Sequence, residues 1–207
     1  KRLYALRDQT GTVQSPSLIA SSIMSKKIAG GAQAILLDVK VGAGAFFPTI
    51  DAARDAAQLM VELGRPWGRT VRYILSRMDQ PLGTMVGNAL EVRAAAEVLR
   101  GGGALDLREI AIEAAGALAE AAGLLPAGEG VVAATEHLDD GRALAVAERW
   151  VAAQGGNPDV WTDETILPAA PITIDVPAPR DGVVSALQAR QIGEAARWLG
   201  AGRLHPA

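Results

Sequence analysis

The alternation of hydrophobic and polar positions predicts that regular structure begins with an α-helix over residues 16–29. Ser15 and Pro16 are typical of a helix start, because serine can cap the first turn and proline has no backbone N–H to lose there. The pair Gly30-Gly31 is expected to end the helix, since the left-handed position after a helix suits a residue without a side chain.

A strand, a second helix and a second strand are expected to follow. Residues 34–42 are almost continuously apolar, which favours a central parallel strand. Asp38 and Lys40 share one face of it near the carboxyl end, where ligands bind in open α/β sheets. A helix over 50–63 and a strand over 69–75 complete a βαβ unit with parallel strands.

The second half of the chain is expected to be mostly helical. Three alanine-rich helices are predicted, over 89–100, 105–123 and 140–154. Near residue 171 the composition changes, and two short strands are expected around the turn Pro179-Arg180-Asp181-Gly182. A last helix is predicted over 189–199.

Composition narrows the class of protein. The chain has 207 residues, 49% of them hydrophobic, so it can bury a sizeable core. It has no cysteine and two histidines, which excludes disulfides, thiolate metal sites and histidine-rich zinc sites. A net charge of −3 offers no electrostatic footprint for nucleic acid, and no apolar run is long enough for a membrane span. We therefore expect a cytoplasmic α/β protein.

The lysines indicate where chemistry could lie. Lys26, Lys27 and Lys40 are three of only four lysines in an arginine-rich chain. On the first helix, Ile19, Ser22, Ile23 and Lys26 recur at helical spacing and so share one face. Such a face would fit a flat ring with apolar faces and carbonyl edges. Alternatively, Ser22 and Lys26 are the solvent-exposed edge of an ordinary amphipathic helix.

Three other features of the sequence are candidates for a functional role. Asp38 and Lys40 are either polar groups at the ligand end of a strand or structural groups that form a strand-end ion pair or cap a helix. Gly42-Ala43-Gly44 is too short for a dinucleotide-binding loop, because Phe47 stands where a third glycine would be needed. His137 lies among acidic neighbours and is expected to be exposed, without a catalytic role.

Five segments together resemble the thymidine phosphorylase and pyrimidine-nucleoside phosphorylase family. They follow one another in the family's order over essentially the whole chain: LYALRD at 3–8, TVQSPSLIASSIMSKK at 12–27, LDVKVGAGAFF at 37–47, MDQPLGTMVGNALEV at 78–92 and LGAGR at 199–203.

The resemblance implies an enzyme that splits a pyrimidine nucleoside with inorganic phosphate into free base and pentose 1-phosphate. The substrates it implies are thymidine and deoxyuridine, with uridine as a further candidate. The family motifs put Arg7, Ser22 and Lys26 on the pyrimidine, with Arg7 and Lys26 as the catalytic pair that stabilises the departing base. Its apolar lining corresponds to five residues: Tyr4, Val13, Ile19, Ile23 and Phe46.

The resemblance also implies an architecture and an assembly. Residues 1–31 correspond to part of a small helical lobe, 32–170 to a large α/β lobe with a mixed, largely parallel sheet, and 171–207 to the start of a C-terminal hairpin-and-helix subdomain. A homodimer is implied, with no organic cofactor. Some relatives hold a structural cation near the QPLG loop, but the carboxylate position corresponds to Ala94, so no metal is expected.

The chain departs from the family in one important respect. The glycine-rich Lys-His-Ser loop that holds phosphate does not occur in these residues, so the chain is expected to be incomplete at both ends and inactive alone. A non-catalytic base-binding module of the same fold is the alternative. An enzyme like anthranilate phosphoribosyltransferase is a third candidate, against which the Arg7, Ser22 and Lys26 set argues.

Overall fold

The structure is a computed structural model that describes residues 10–12 and 15–201. Within that range the helices and strands follow one another as α1 (Pro16–Ala29), β1 (Ala34–Val41), α2 (Ile50–Gly64), β2 (Thr70–Arg77), α3 (Asn88–Leu99), α4 (Leu105–Ala121), α5 (Gly130–Asp139), α6 (Arg142–Ala153) and α7 (Ala189–Trp198). Single 3₁₀ turns lie at Arg65–Trp67, Pro158–Trp161 and Glu164–Ile166. No helix in the described ranges is both long enough and apolar enough to cross a bilayer.

The first helix begins and ends where the sequence predicts. Ser15 occupies the N-cap position with extended backbone and Pro16 starts the helix, but the Ser15 hydroxyl makes no capping hydrogen bond. Gly31 adopts φ +82° just after the helix, in the left-handed region that only glycine enters at little cost.

The predicted βαβ unit is confirmed. Strands β1 and β2 pair in parallel, in register from Ala34 opposite Thr70 to Val41 opposite Arg77. Thr49 caps α2 by accepting a hydrogen bond from the Ala52 amide at 3.3 Å. The sheet formed by the described residues therefore has two parallel strands joined through a helix.

The main core lies on one face of this sheet, where α1 and α2 pack. Alternate residues of β1 are buried because successive strand side chains point to opposite faces. Against them lie small alanines and flexible methionines, which let the helices approach the sheet closely. The buried cluster is Ile19, Ala20, Met24, Ile35, Leu37, Val39, Phe47, Ala53, Ala56, Ala57 and Met60.

Helix α4 covers the opposite face of the sheet. The guanidinium of Arg72 on β2 lies 3.8 Å from the Glu120 carboxylate of α4, so an ion pair links the two layers. Helices on both faces of a parallel sheet confirm the predicted α/β class. The proposed division into lobes at residues 31 and 170 stays a prediction, although α1 and α2 contribute to one core.

Helix α5 was not predicted, and its N-terminus explains why. Residue Glu129 at its N-cap makes no side-chain capping bond. Instead, a carboxylate oxygen of Glu120, on α4, accepts hydrogen bonds from the Gly128 and Gly130 amides, both at 2.9 Å. The cap is therefore supplied by a distant residue, which no local sequence pattern announces.

The predicted strands around residues 179–182 are wrong. Residues 167–188 form no strand, and Val176 and Val183 are 91% and 94% exposed. An apolar alternation forms a stable strand only if it finds a partner and a surface to cover it, and an isolated two-stranded hairpin is marginal in water. The helix predicted after this segment is confirmed as α7.

Candidate active site

The loop after β1 is fastened to the segment that follows β2. The Gly44 amide donates to the Met78 carbonyl at 2.8 Å, and the Ala43 amide donates to the Asp79 carboxylate at 3.1 Å. A β-carbon on Gly44 would lie 2.5 Å from the Met78 carbonyl oxygen, so this close approach requires glycine. The sequence GAGAFF thus serves a tight loop, consistent with rejecting a dinucleotide site.

This loop orients two consecutive phenylalanines in opposite directions. Phe47 is 7% exposed and belongs to the core, whereas Phe46 is 57% exposed. A large exposed aromatic ring beside a concave surface is a feature of binding sites more than of cores.

A cavity of about 640 Å³ opens beside Phe46. Its apolar wall includes Ile19 and Ile23 of α1 and the Phe46 side chain. Charged side chains line it as well, among them Asp38 and Lys40 of β1. The volume is within the range of small-molecule sites, and the wall combines apolar area with a few polar groups.

Three of the predicted site residues thus lie on this cavity, whereas two predicted site residues of α1 do not. Ile19, Ile23 and Phe46 are on its wall, but neither Ser22 nor Lys26 is among its lining residues in the described part of the chain. Ser22 is half-buried and Lys26 is exposed. The remaining predicted site residues, Tyr4, Arg7 and Val13, lie outside the described residues.

The neighbouring lysine has a different position. Lys27, one residue after Lys26 in the last turn of α1, lines the cavity. Both ammonium groups sit near the C-terminus of the helix, where the helix dipole favours positive charge. Helical spacing put Lys26 on the face of Ile19 and Ile23, whereas in the structure Lys27 lines the cavity together with these two residues.

Asp38 and Lys40 form the ion pair that was one of their two interpretations. The Lys40 ammonium lies 2.7 Å from one carboxylate oxygen of Asp38, and the Ser76 hydroxyl of β2 donates a short hydrogen bond to the other. The side chains are only 24% and 32% exposed. Because both residues also line the cavity, the observed ion pair does not exclude a role in binding.

Helix α7 contributes residues that sequence reasoning missed. Arg190 and Glu194, one helical turn apart, line the same cavity. The helix is held there by the Ala189 amide, which donates to the Asp79 carbonyl at 2.9 Å. Residues 40 and 190 are far apart in the sequence and no local pattern links them, so only the fold shows that α7 lines the same cavity as β1.

Two other predicted features can be located. Ala94, which stands where some relatives have a cation-binding carboxylate, is 6% exposed within α3. His137 is exposed on α5, as predicted. It lines a separate apolar cavity of about 600 Å³ between the helices of the second half.

Comparison with known proteins finds relatives that bear the same name along nearly the whole chain. It is 47% identical over 213 residues to a pyrimidine-nucleoside phosphorylase of Geobacillus stearothermophilus, covering 98% of this chain and 47% of that protein. It is 48% identical over 206 residues to the Bacillus subtilis pyrimidine-nucleoside phosphorylase, with the same coverage. A Staphylococcus epidermidis pyrimidine-nucleoside phosphorylase is 44% identical over 206 residues. The chain spans about half the length of these relatives.

These similarities confirm the resemblance derived from the five sequence segments. The family described as glycosyl transferase family, a/b domain, matches residues 3–144, more than half of the chain. With a helix-covered parallel sheet and a cavity at the carboxyl end of its strands, the chain belongs to the glycosyl transferase family that includes the pyrimidine-nucleoside phosphorylases.

Proposed function

We propose that the complete natural polypeptide catalyses the phosphorolysis of pyrimidine nucleosides. The observation that carries this proposal is 44–48% identity over 98% of the chain to proteins named pyrimidine-nucleoside phosphorylase. The geometry supports it, because Ile19, Ile23 and Phe46 line one cavity of suitable size. A homodimer belongs to the same proposal through the resemblance, and a cytoplasmic location through the composition.

The apolar wall is proposed to hold the base. A pyrimidine ring has two apolar faces and a polar edge, and the ring of exposed Phe46 offers a flat surface against which such a face can pack. Ile19 and Ile23, one turn apart on α1, provide a second surface. Ser22 and Lys26 are proposed to bind the polar edge together with Arg7, as the resemblance implies.

The proposed reaction exchanges one bond at the pentose for another. The bond from C1′ to the base nitrogen breaks, and its electron pair leaves with the base. A phosphate oxygen forms the new bond to C1′, giving pentose 1-phosphate, and the base nitrogen takes up a proton. Negative charge therefore grows on the base, where Lys26 and Arg7 would stabilise the transition state more than the ground state.

The test is phosphate-dependent release of free thymine or uracil by the complete natural polypeptide. Lys26→Ala is expected to lower kcat by about 10²–10³, the usual cost of losing one donor to a developing anion. Arg149→Ala, which removes an exposed cation from α6, is the matched control and is expected to keep normal turnover.

Two results would contradict the assignment. Absence of phosphate-dependent base release from the wild-type protein would refute the function itself. A large loss in Lys27→Ala with normal turnover in Lys26→Ala would keep the reaction but move the role to the lysine that lines the cavity.

A further inference from the structure

Asp38, Lys40 and Ser76 form a connected polar group at the carboxyl ends of the two parallel strands. Asp38 and Lys40 stand two positions apart on one face of β1, and Ser76 is the register partner of Lys40 on β2. The Asp38 carboxylate contacts the Lys40 ammonium at 2.7 Å and accepts a hydrogen bond from the Ser76 hydroxyl. Pairing of the strands therefore fixes all three side chains relative to one another.

This group retains capacity for further hydrogen bonds. An ammonium has three donors, and in the described ranges the Lys40 ammonium has the Asp38 carboxylate as its partner. An ionised carboxylate has about four acceptor positions, of which Asp38 uses two. Partial burial disfavours charged groups that are not fully bonded, so further polar contacts would be favourable here.

The position of the pair defines the kind of ligand. Asp38 and Lys40 line the cavity of about 640 Å³ whose apolar wall carries Ile23 and Phe46. Lys40 and Ser76 also line a more polar pocket of about 400 Å³ at the end of β2. A molecule that fills the first cavity from its apolar wall to this pair is expected to have an apolar part and a polar part.

The charge of the pair further restricts the polar part. Asp38 and Lys40 together carry no net charge, so a phosphate dianion near them would be repelled by one as it is attracted by the other. A hydroxyl group both donates and accepts, so it can donate to the carboxylate while it accepts from the ammonium. Although Lys27, Arg190 and Glu194 also line the cavity, the Asp38–Lys40 pair itself therefore suits a hydroxyl group better than an anion.

We infer that Asp38 and Lys40 bind the pentose hydroxyls of the nucleoside, with Ser76 as the positioning residue that orients the Asp38 carboxylate. This inference rests on the proposed function and deepens it by assigning the sugar end of the site. The base packs on the apolar wall, and the sugar extends from it towards the ends of the strands.

The experiment separates binding of the sugar from binding of the base in the complete natural polypeptide. Asp38→Asn and Lys40→Met are expected to lower kcat/KM for thymidine and uridine at least about tenfold, the usual cost of a lost hydrogen bond to a charged group. The dissociation constant of free thymine or uracil, measured by calorimetry, is expected to stay within about twofold of wild type, because the base does not contact the pair.

Ser76 provides a test of positioning. Ser76→Ala is expected to give a smaller loss in kcat/KM for the nucleoside, and Ser76→Thr, which keeps the hydroxyl, is expected to restore it. Asp140→Asn and Arg142→Met break a comparable ion pair of 2.6 Å that shares no residue with the cavity, and serve as matched controls with wild-type kinetics.

The outcomes distinguish this inference from the function on which it rests. An active wild type with unchanged kcat/KM in Asp38→Asn and Lys40→Met overturns the sugar assignment alone. Equal weakening of nucleoside and free-base binding, with a lower melting temperature, also overturns it and assigns the pair a structural role. A wild type that neither releases base nor binds pentose 1-phosphate in calorimetry overturns both.

Discussion

The βαβ region, residues 16–77, and the helical region, residues 88–153, close their interiors by different means. In the βαβ region a sheet face offers a continuous surface, and large side chains such as Met24 and Met60 fill the space beneath the helices. In the helical region α4 and α5 meet through backbone, with Gly116 against Gly130. A cavity of about 600 Å³ remains among its alanine-rich helices.

The difference shows what alanine-rich helices can and cannot do. Small residues let two helices approach closely at one point, but they do not fill the volume away from that point. Side chains on a sheet stand side by side and present a broad surface that large side chains of the covering helices can reach, although the cavity of about 640 Å³ also borders this region. The free energy of unfolding is therefore expected to fall when a large core side chain of the βαβ region is shortened. In the helical region it is expected to fall when a side chain is added where α4 and α5 meet through backbone.

The largest expected effect is in the βαβ region. Met60→Ala removes a side chain that is 1% exposed at the centre of the core cluster, and is expected to lower the free energy of unfolding by about 2–5 kcal/mol. Urea unfolding followed by circular dichroism measures it. Val132→Ala, at a 61% exposed position of α5, should change stability by no more than about 0.5 kcal/mol. Equal losses in both variants would refute the contrast.

A smaller loss is expected for Gly116→Ala in the helical region. A β-carbon there would lie 2.5 Å from the Gly130 carbonyl carbon, and backbone cannot move aside as a side chain can. The helices must separate, at an expected cost of about 1–3 kcal/mol. Gly193→Ala on α7 is the matched control, because its β-carbon meets nothing within 4 Å, and helix propensity should make it stabilising by about 0.5–1 kcal/mol. A neutral Gly116→Ala would show that this contact does not limit the packing.

The smallest expected effect depends on pH and lies at the junction of α5 and α6. A hydrogen bond from the Arg142 guanidinium, together with one from the Arg142 amide, lowers the pKa of Asp140 below its ordinary value. A lowered pKa in the folded state means a contribution that is present above the unfolded pKa and is lost as pH falls through the folded pKa.

Asp140→Asn is therefore expected to be slightly less stable than wild type at neutral pH and indistinguishable from it in acid. Thermal unfolding at a series of pH values measures the difference, and a carboxyl NMR titration measures the pKa directly. Both side chains are about half exposed, so the effect should also shrink at high salt. A difference that grew as the pH fell would contradict the sign.

Much of the βαβ region could be predicted from the sequence, because local signals and tertiary packing agree there. The predicted limits of α1, β1 and α2 differ from the structure by at most one residue. The strands around residues 179–182 were wrong, because their apolar alternation finds no partner strand in the described residues. An alternating apolar pattern favours a strand, but the strand forms only where it can pair with a neighbouring strand.

The candidate site was predictable only in part. Periodicity put Ile19 and Ile23 on one face of α1, and the strand pattern put Asp38 and Lys40 at the ligand end of β1, but that all four line one cavity is seen only in the structure. Helical spacing put Lys26 on that face and did not indicate that Lys27 lines the cavity, because this depends on how α1 is rotated against α2 and β1. Nor could it find Arg190 and Glu194, which line the cavity because α7 packs there, with the Ala189 amide hydrogen-bonded to the Asp79 carbonyl.

The register of the two strands has a consequence for the order of folding. Every residue of β1 pairs with the one 36 positions later, and the helix that covers them both lies in between. These two strands and their connecting helix therefore come from one uninterrupted stretch of polypeptide, so they can assemble without contacts from distant parts of the sequence. Modest separation in sequence favours rapid assembly. During synthesis this unit can fold before the ribosome has translated the helices that later cover the opposite face of the sheet.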